Sequence, residues 1–408
     1  MKKKHASYQE AIDEIIADLE VKDQGTVDYT NLKAAVTHCL QNPDDAPPGV
    51  PQGVYEGVRE YALKLTNDFF KSIPYPPPVR PDFRFIDLFA GIGGFRLAFQ
   101  GAGGKCVFSS EWDIHAQKTY EANYGEVPYG DVRSIDKDAI PAFDILCAGF
   151  PCQPFSLAGV SKKNSLGRAH GFEDKTQGTL FFEIKEILQR KRPAAFMLEN
   201  VKNLFRHDSG RTFEVIRHTL EDILGYVVNW KIVDGGKWVP QHRERLFIVG
   251  YNPEMINITK EEIIIPEQPE PGYVRKQLRD IVRNDVKDCT LGIGTWKTLL
   301  RHKQHHQDAG NGFGYGLHKM PLQPDEITRT ISARYHKDGA EILIEQPNDL
   351  PRRLSVDEAM QLQGYDPERF KFPVSKTQAY KQIGNSVVWP AVQSCAIEIA
   401  KVLRECRK

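Results

Sequence analysis

Residues 85–94 read Phe-Ile-Asp-Leu-Phe-Ala-Gly-Ile-Gly-Gly, and the apolar, helix-like run 95–99 follows them directly. An apolar strand, a tight glycine turn and a helix in this order are typical of the first unit of a parallel α/β sheet. Further short apolar runs resemble strands of the same sheet; they occupy residues 106–110, 145–148, 195–198 and 246–250. The sequence therefore predicts an α/β fold.

The glycine turn is followed by two acidic residues that point to an adenosine-containing cofactor. Small residues at a helix start let a ligand approach the backbone. Glu111 stands at the end of the second strand, where a carboxylate can accept hydrogen bonds from both ribose hydroxyls, and Asp131 could accept one from an adenine amino group. A nicotinamide cofactor is the alternative, but a full Gly-x-Gly-x-x-Gly is absent. The pattern favours S-adenosylmethionine.

Cys152 directly follows Pro151 at the end of the strand-like run 143–148. That place corresponds to the carboxyl edge of a sheet, where α/β proteins carry reactive groups. The turn is polar, which suits a reactive thiolate, whereas the other six cysteines are expected to be small buried hydrophobic residues. Glu199 follows the run 195–198 and is a candidate acid partner. This pair points to covalent chemistry on a pyrimidine ring.

Composition limits the classes of protein and site. The formal net charge is zero, so any nucleic-acid contact must come from local patches, such as residues 161–170, which include basic residues and no acidic ones. The seven cysteines lack zinc-type spacing, which predicts reduced thiols and no metal site. No apolar stretch approaches the roughly 20 residues of a membrane span, and the basic start lacks the apolar core of a secretory signal. We therefore expect a cytoplasmic protein with no membrane contact.

The chain divides into five segments by pattern. Residues 1–73 show helical periodicity, and the proline-rich linker 74–82 cannot continue a helix. Residues 83–254 carry the α/β rhythm, residues 255–345 form an irregular lobe, and residues 346–408 are expected to return to the α/β domain.

From residue 83 to its end the chain resembles the cytosine-C5 DNA methyltransferase family. The resemblance is carried by an ordered series of motifs: residues 87–95, Glu111-Trp112, Gly130-Asp131, the Pro151-Cys152-Gln153 run, residues 178–182, Glu199-Asn200-Val201, residues 240–245 and residues 378–388. It implies a Rossmann-like S-adenosylmethionine-dependent methyltransferase domain at 83–254 and a smaller target-recognition domain at 255–345, whereas the N-terminal helical extension before residue 74 matches none of its core motifs.

The resemblance also implies a mechanism. The Cys152 thiolate would add to cytosine C6 and make C5 nucleophilic enough to accept a methyl group. Glu199 would share a proton with ring N3, which needs a carboxyl group whose pKa is raised by burial. Arg245 would contact the cytosine carbonyl, and Arg243 and Gln241 complete the catalytic set. The base would be rotated out of the duplex.

The resemblance places the cofactor and the DNA on further residues. The expected cofactor contacts are Phe89, Gly91, Gly93, Glu111, Trp112, Asp131, Pro151, Leu180 and Asn385. A lid at 156–176 would contact DNA through Ser156, Lys162, Lys163 and Arg168. In the recognition lobe, Arg329, Thr330 and Arg334 are candidate DNA contacts; the two arginines suit bidentate reading of guanine, with a phosphate contact or an ion pair as the alternative.

The target and the partners are expected from the same resemblance. The stretches 157–172, 310–317 and 328–339 resemble Dcm-type enzymes, which suggests methylation of the inner cytosine of CCWGG; CCNGG is an alternative. The rival readings are a transfer-RNA cytosine methyltransferase and a catalytically silent DNA-binding regulator. The expected partners are double-stranded DNA and a cognate restriction endonuclease, and the expected state is a monomer.

Overall fold

A six-stranded sheet forms the centre of the protein, in the strand order β2-β1-β3-β4-β6-β5. The computed structural model describes residues 12–13, 15–17, 29–45, 55–56, 58–59, 72–151, 180–308, 310, 315–347 and 349–407. The strands of the sheet are β1 (Phe83–Leu88), β2 (Gly104–Ser110), β3 (Ile145–Gly149), β4 (Ala195–Val201), β5 (Val227–Asp234) and β6 (Glu244–Tyr251).

The first four strands are parallel, whereas β6 runs antiparallel to both β4 and β5. The sequence pattern had placed residues 246–250 at the end of a parallel run, and this expectation is wrong. The short connection between β5 and β6 explains the difference, because a parallel crossover needs about a dozen residues or more. The strand β5 was not predicted, since its half-buried residues do not form a continuous apolar run.

Helices cover both faces of the sheet. On one face, α2 (Gly94–Gly101) and α10 (Trp389–Glu405) share an apolar core with β1, β3, β4 and β6. On the other face, α4 (Leu180–Lys191) and α5 (Arg211–His218) pack on the same strands. Burial on both faces explains why β3 and β4 read as nearly continuous apolar runs. The remaining helices are α1 (Tyr29–Gln41), α3 (Ile114–Tyr124), α6 (Leu278–Ile281), α7 (Ile293–Asp308), α8 (Val356–Gln361) and α9 (Lys376–Asn385).

Residues 255–345 are mostly irregular. They contribute α6, α7 and the strands β7 (Leu317–His318) and β8 (Leu343–Ile344); the two strands form a small sheet with β9 (Arg352–Arg353). Leu299 of α7 packs against Leu343 of β8 and so fixes this helix on the small sheet.

None of the described helices is long and apolar enough by itself to cross a membrane; the pair α9 and α10, bent by 42° at the break between them, meets the same test of length and composition only when taken together.

Candidate active site

A cavity of about 520 Å³ opens at the carboxyl ends of the parallel strands. Open α/β sheets place their ligands at this edge, because the loops that follow the strands meet there. The cavity brings together predicted residues from distant parts of the chain; they are Phe89, Gly91, Glu111, Trp112, Asp131, Pro151, Leu180, Glu199, Arg243, Arg245 and Asn385. Of the predicted catalytic and cofactor residues within the described chain, Gly93 and Gln241 do not line it, and neither do the predicted DNA contacts Arg329, Thr330 and Arg334.

The glycine turn between β1 and α2 forms one wall. Gly91 has φ +55°, and a Cβ built on it would meet nothing within 4 Å, so the backbone there is open to a ligand. Gly93 has φ +82°, and a Cβ there would lie 2.2 Å from the ring of Tyr124. Phe89 adopts φ +54°, a conformation that side chains other than glycine rarely take. Such backbone strain is concentrated at functional sites.

Glu111 ends β2 and reaches back to the turn. One carboxylate oxygen accepts the Gly91 N–H at 2.8 Å, and the other accepts the Asp113 N–H at 2.8 Å. Burial raises the pKa of Glu111, and these two donors oppose the shift. Each oxygen keeps a lone pair for a further donor. Next to it, Trp112 is 78% exposed, which leaves its ring free to cover a planar ligand.

Asp131 lies on the same wall and is held in its ionised form. Its carboxylate caps the short helix Val132–Ser134 and forms an ion pair with Arg133. The hydrogen bond from Arg133 is the main reason that the pKa of Asp131 is lowered. An ionised carboxylate at this place is an acceptor for an amino group.

The opposite wall carries Glu199 and Arg245. The antiparallel register pairs Val201 with Arg245, so the arginine lies beside the end of β4. Its Nε is 3.0 Å from Glu199 Oε1, and both side chains are mostly buried. Burial raises the pKa of Glu199, while the charges of Arg245 and Arg243 lower it. A Cβ on Gly149 would lie 3.5 Å from Glu199 Oε2, which places this carboxyl beside the end of β3.

Arg243 joins three segments of the chain. Its guanidinium donates to the carbonyls of Ile331 at 3.0 Å, Gly384 at 2.9 Å and Ser386 at 2.6 Å. Its Nε has no partner among the described residues. Burial is the main reason that the pKa of Arg243 is lowered to about 9, so the side chain remains charged at neutral pH. Arg243 therefore holds three backbone segments together and also lines the cavity.

Gln241 is fully buried behind this wall. Its amide donates to the Leu362 carbonyl at 2.7 Å and accepts the Ile331 N–H at 2.7 Å. It therefore holds the segment before Arg243 against two other parts of the chain.

The sequence did not assign a role to Asn200, although it lies in the same motif as Glu199. Its side-chain amide donates to the Phe150 carbonyl at 2.9 Å, one residue before Pro151. Lys381 was also missed; it lines the cavity and donates to Asp113 at 2.8 Å. The motif spacing was the signal that could have found Asn200.

Residues 328–330, in the segment expected to recognise the target, lie against His242, the residue before Arg243. The Thr330 hydroxyl donates to the His242 carbonyl at 2.6 Å, and the His242 N–H donates to the Thr328 carbonyl at 2.9 Å. Arg329 and Arg334 are exposed beside this contact. The predicted residues Cys152, Ser156, Lys162, Lys163 and Arg168 lie outside the described residues.

The cavity fits an adenosine-type cofactor by its chemistry. The open backbone at Gly91 lets a ligand approach the turn. The buried carboxylate of Glu111 can accept hydrogen bonds from a ribose, and the exposed ring of Trp112 offers a flat surface for the base. The wall with Glu199 and Arg245 leaves a separate polar side for a second ligand.

Comparison with known sequences agrees with this geometry. A model of the C-5 cytosine-specific DNA methylase family matches residues 83–401. The DNA-cytosine methyltransferase of Escherichia coli strain K12 is 45% identical over 378 residues, covering 79% of this chain and 79% of that protein. The type II methyltransferase M.SsoII of Shigella sonnei is 47% identical over 344 residues, covering 84% and 86%. M.HpaII of Haemophilus parainfluenzae is 42% identical over 349 residues, covering 80% and 92%.

Solved structures share the fold. The Dnmt2 methyltransferase of S. pombe matches with a TM-score of 0.58 at 17% identity, over 79% of this chain and 98% of that chain. The Entamoeba histolytica methyltransferase EhMeth matches with a TM-score of 0.58 at 18% identity, over 78% and 97%. The predicted α/β fold of the Rossmann-like methyltransferase type is thereby confirmed. With the family model spanning most of the chain and relatives above 40% identity, the chain belongs to the C-5 cytosine-specific DNA methylase family, as a DNA (cytosine-5-)-methyltransferase that uses S-adenosylmethionine.

Proposed function

We propose that this enzyme methylates a cytosine rotated out of duplex DNA, with Cys152 as the nucleophile and Glu199 as the acid. The observation that carries the proposal is the position of Glu199. Its carboxyl group is buried, is paired with Arg245, and shares one cavity with both Pro151 and the Glu111 wall. Cys152 directly follows Pro151, a residue that lines this cavity, in the sequence.

The chemistry divides among these residues. The Cys152 thiolate forms a bond to ring C6, the C5–C6 electron pair becomes available at C5, and Glu199 donates its proton to N3. S-adenosylmethionine supplies an electrophilic methyl group when bound. After methyl transfer to C5, the C5 proton leaves to solvent, the sulfur–C6 bond breaks with its electron pair returning to sulfur, and the N3 proton returns to Glu199, which restores the aromatic ring, the thiolate and the acid. Arg245 orients the ring by donating to its carbonyl.

Arg243 and Gln241 act through position. Both bind the backbone of residue 331, and Arg243 also binds the carbonyls of Gly384 and Ser386. Their contacts hold Arg245 and the recognition segment in one arrangement. In this proposal Gln241 is a positioning residue.

The cofactor is assigned to the glycine-turn wall. Glu111 accepts from the ribose, Asp131 from the adenine amino group, and the rings of Phe89 and Trp112 flank the adenosine. Gly91, Pro151, Leu180 and Asn385 complete the pocket, while Gly93 shapes the turn from behind.

Residues 255–345 are assigned to target recognition. Exposed Arg329 and Arg334 lie next to the wall that carries Arg243 and Arg245, which is the place where a duplex with one base rotated into the cavity must pass. We propose that Arg329, Thr330 and Arg334 contact bases or phosphates there. Ser156, Lys162, Lys163 and Arg168 are proposed to bind DNA phosphates.

The proposed target is the inner cytosine of CCWGG, and CCNGG is the alternative. The support is the resemblance of stretches 157–172, 310–317 and 328–339 to Dcm-type enzymes. The relatives named as type II methyltransferases support a cognate restriction endonuclease as a partner. We propose that the enzyme acts as a monomer.

Bisulfite sequencing of DNA from a methylation-deficient bacterial host that expresses the chain tests reaction and target together. We expect protected cytosines only at the inner position of CCWGG, and none with Cys152→Ser. Protection at a different motif would overturn the target assignment and keep the chemistry. Protection that persists with Cys152→Ser would overturn the nucleophile. No protection by soluble protein that binds the cofactor would move the search to RNA substrates or to a silent DNA binder.

A covalent trap tests the nucleophile separately. Duplex DNA with 5-fluorocytosine at the target position should form a cofactor-dependent adduct with the wild type, because fluorine does not leave as the C5 proton does. Cys152→Ser should form none.

A further inference from the structure

We propose that Gln41, on the N-terminal helix α1, positions the glycine turn of the cofactor site, so that docking of α1 and binding of S-adenosylmethionine stabilise each other. The proposal rests on the cofactor site assigned above. It gives a role to a part of the N-terminal extension that lies outside the matched family region 83–401.

Gln41 connects α1 to the two helices behind the cofactor wall. Its side chain is 5% exposed. Its Nε2 donates to the carbonyl of Tyr124, the last residue of α3, at 2.7 Å, and its Oε1 accepts from Arg96 Nη2, in the first turn of α2, at 2.8 Å. One buried amide thus satisfies a carbonyl and a guanidinium on separate elements.

Tyr124 carries the contact to the glycine turn. Its hydroxyl donates to the Gly93 carbonyl at 2.7 Å, and its ring occupies the space that a Cβ on Gly93 would need. Gly93 is the N-cap of α2, with left-handed backbone angles. The turn is therefore held from behind by Tyr124 and from the ligand side by Glu111, which accepts the Gly91 N–H.

Arg96 connects Gln41 to the start of α2, and the burial of its guanidinium makes loss of this hydrogen bond unfavourable. It is fully buried, forms an ion pair with Glu126 at 2.8 Å, and donates to the Tyr120 hydroxyl at 3.2 Å. Loss of Gln41 Oε1 leaves a guanidinium N–H without its acceptor in this buried site, and an unpaired buried donor destabilises the folded state. Arg96 is two residues after Gly94, so a shift of its side chain displaces the start of α2.

Other contacts hold α1 without reaching the turn. Lys33 forms an ion pair with Glu121 at 2.7 Å, and Thr37 Oγ1 accepts the Val127 N–H at 3.0 Å. These contacts allow a matched control on the same helix. Because linkage between two binding events is reciprocal, a docked α1 that raises cofactor affinity must itself be stabilised by the cofactor.

Calorimetric titration of the full-length chain with S-adenosylmethionine, without DNA, is the first test. We expect Gln41→Ala to weaken binding by roughly 5- to 150-fold, the usual range for coupled sites. Lys33→Ala should change it less than about twofold, because its partly exposed ion pair contributes little. Equal affinity of Gln41→Ala and wild type, or equal losses in both variants, would overturn the proposal.

Gln41→Glu separates the proposed path from a general effect on folding. The carboxylate keeps the acceptor for Arg96 but has no donor for the Tyr124 carbonyl. We expect this variant to melt within a few degrees of the wild type and still to bind S-adenosylmethionine as weakly as Gln41→Ala. Recovery of wild-type affinity would overturn the path through Tyr124.

Hydrogen exchange on the wild type gives a test that needs no variant. Saturation with S-adenosylhomocysteine should slow exchange of the amides in the last two turns of α1, and unchanged exchange there would overturn the linkage. Both measurements omit DNA, so a wrong target or nucleophile leaves their outcome unaffected. Absence of cofactor binding by the wild type would overturn the cofactor site and this linkage together.

Discussion

Glu199 experiences two opposing influences on its proton. Burial favours the neutral acid and raises its pKa, whereas the charges of Arg245 and Arg243 favour the carboxylate. A proton donor to ring N3 must keep its proton near neutral pH and still release it. In the proposed mechanism, burial helps Glu199 to keep its proton, and the contact with Arg245 helps it to release that proton.

The pH dependence of catalysis follows from that raised pKa. Single-turnover methyl transfer should decrease as the pH rises through the pKa of Glu199, because the acid form is lost. Glu199→Gln should be slower by about 10²- to 10⁴-fold and should lack this decrease. A wild-type rate in the variant would contradict the acid role.

The same shift predicts a sign for stability. A carboxyl whose pKa is raised by folding stabilises the native state fully below its unfolded pKa, and this contribution is lost as the pH rises through the folded value. The free energy of unfolding of Glu199→Gln should therefore improve relative to the wild type between about pH 4.5 and neutral pH. Urea unfolding at several pH values measures the difference, and a change of opposite sign would show that the arginines outweigh burial.

At the scale of elements, the junction of β1 with α2 depends on two glycines with different surroundings. Both have positive φ, but of the two only Gly93 has a ring, that of Tyr124, in the space that a Cβ would occupy. A substitution at Gly91 therefore tests backbone strain alone, whereas one at Gly93 tests backbone strain together with steric overlap.

Gly93→Ala should lower the free energy of unfolding by about 2 to 4 kcal/mol and weaken cofactor binding, because strain and overlap with Tyr124 add. Gly91→Ala, the matched variant in open space, should cost only about 1 to 2 kcal/mol of backbone strain. Urea unfolding together with calorimetry compares them. Equal stability losses would show that Tyr124 moves aside without cost.

Arg243, the residue before β6, connects this strand to Ile331 and to the end of α9. Arg243→Ala should lower the free energy of unfolding by about 3 kcal/mol or more, since three carbonyls lose their donor in a buried site. Arg404→Ala is the control, because its ion pair with Asp82 is exposed and spans 3.5 Å. A loss as small as that of the control would contradict the anchoring role.

At the scale of the whole molecule, the cavity gathers residues from 89 to 387 at one sheet edge. Thr328 and Thr330 bind the carbonyls of Pro240 and His242, which shortly precede Arg243 in the chain. If residues 255–345 recognise the target as proposed, a bound duplex would contact this segment and the wall of Glu199 and Arg245 together.

Arg334→Gln should relax the target sequence if this arginine reads guanine. We expect discrimination between target and altered sites to fall by about 1 to 3 kcal/mol, with little change on altered sites. Arg404→Gln, on the opposite edge of the sheet beside Asp82, should change neither the discrimination between sites nor the rate on altered sites. Methylation rates on a panel of duplexes measure this; equal weakening on every sequence would indicate a phosphate contact instead.

Much of the site was predictable because its signals are local. Gly91 was predicted from a turn that needs small residues, and Glu111 and Glu199 from their places at strand ends, since parallel strands share one carboxyl edge. The structure brings all three to one cavity. The prediction for residues 246–250 was correct in finding a strand and wrong in its direction, because direction depends on the connection and not on the apolar run.

Local motifs were sufficient to predict the α/β fold class, the family and S-adenosylmethionine-dependent methyl transfer, because a glycine turn and the ends of strands leave patterns in neighbouring residues. Three contacts became visible only in the folded protein: Arg243 binds three backbone carbonyls, Gln241 is buried behind the wall, and Gln41 reaches Tyr124 across 83 positions of the chain. A hydrogen bond between distant segments depends on how the elements pack, and no local periodicity encodes that packing.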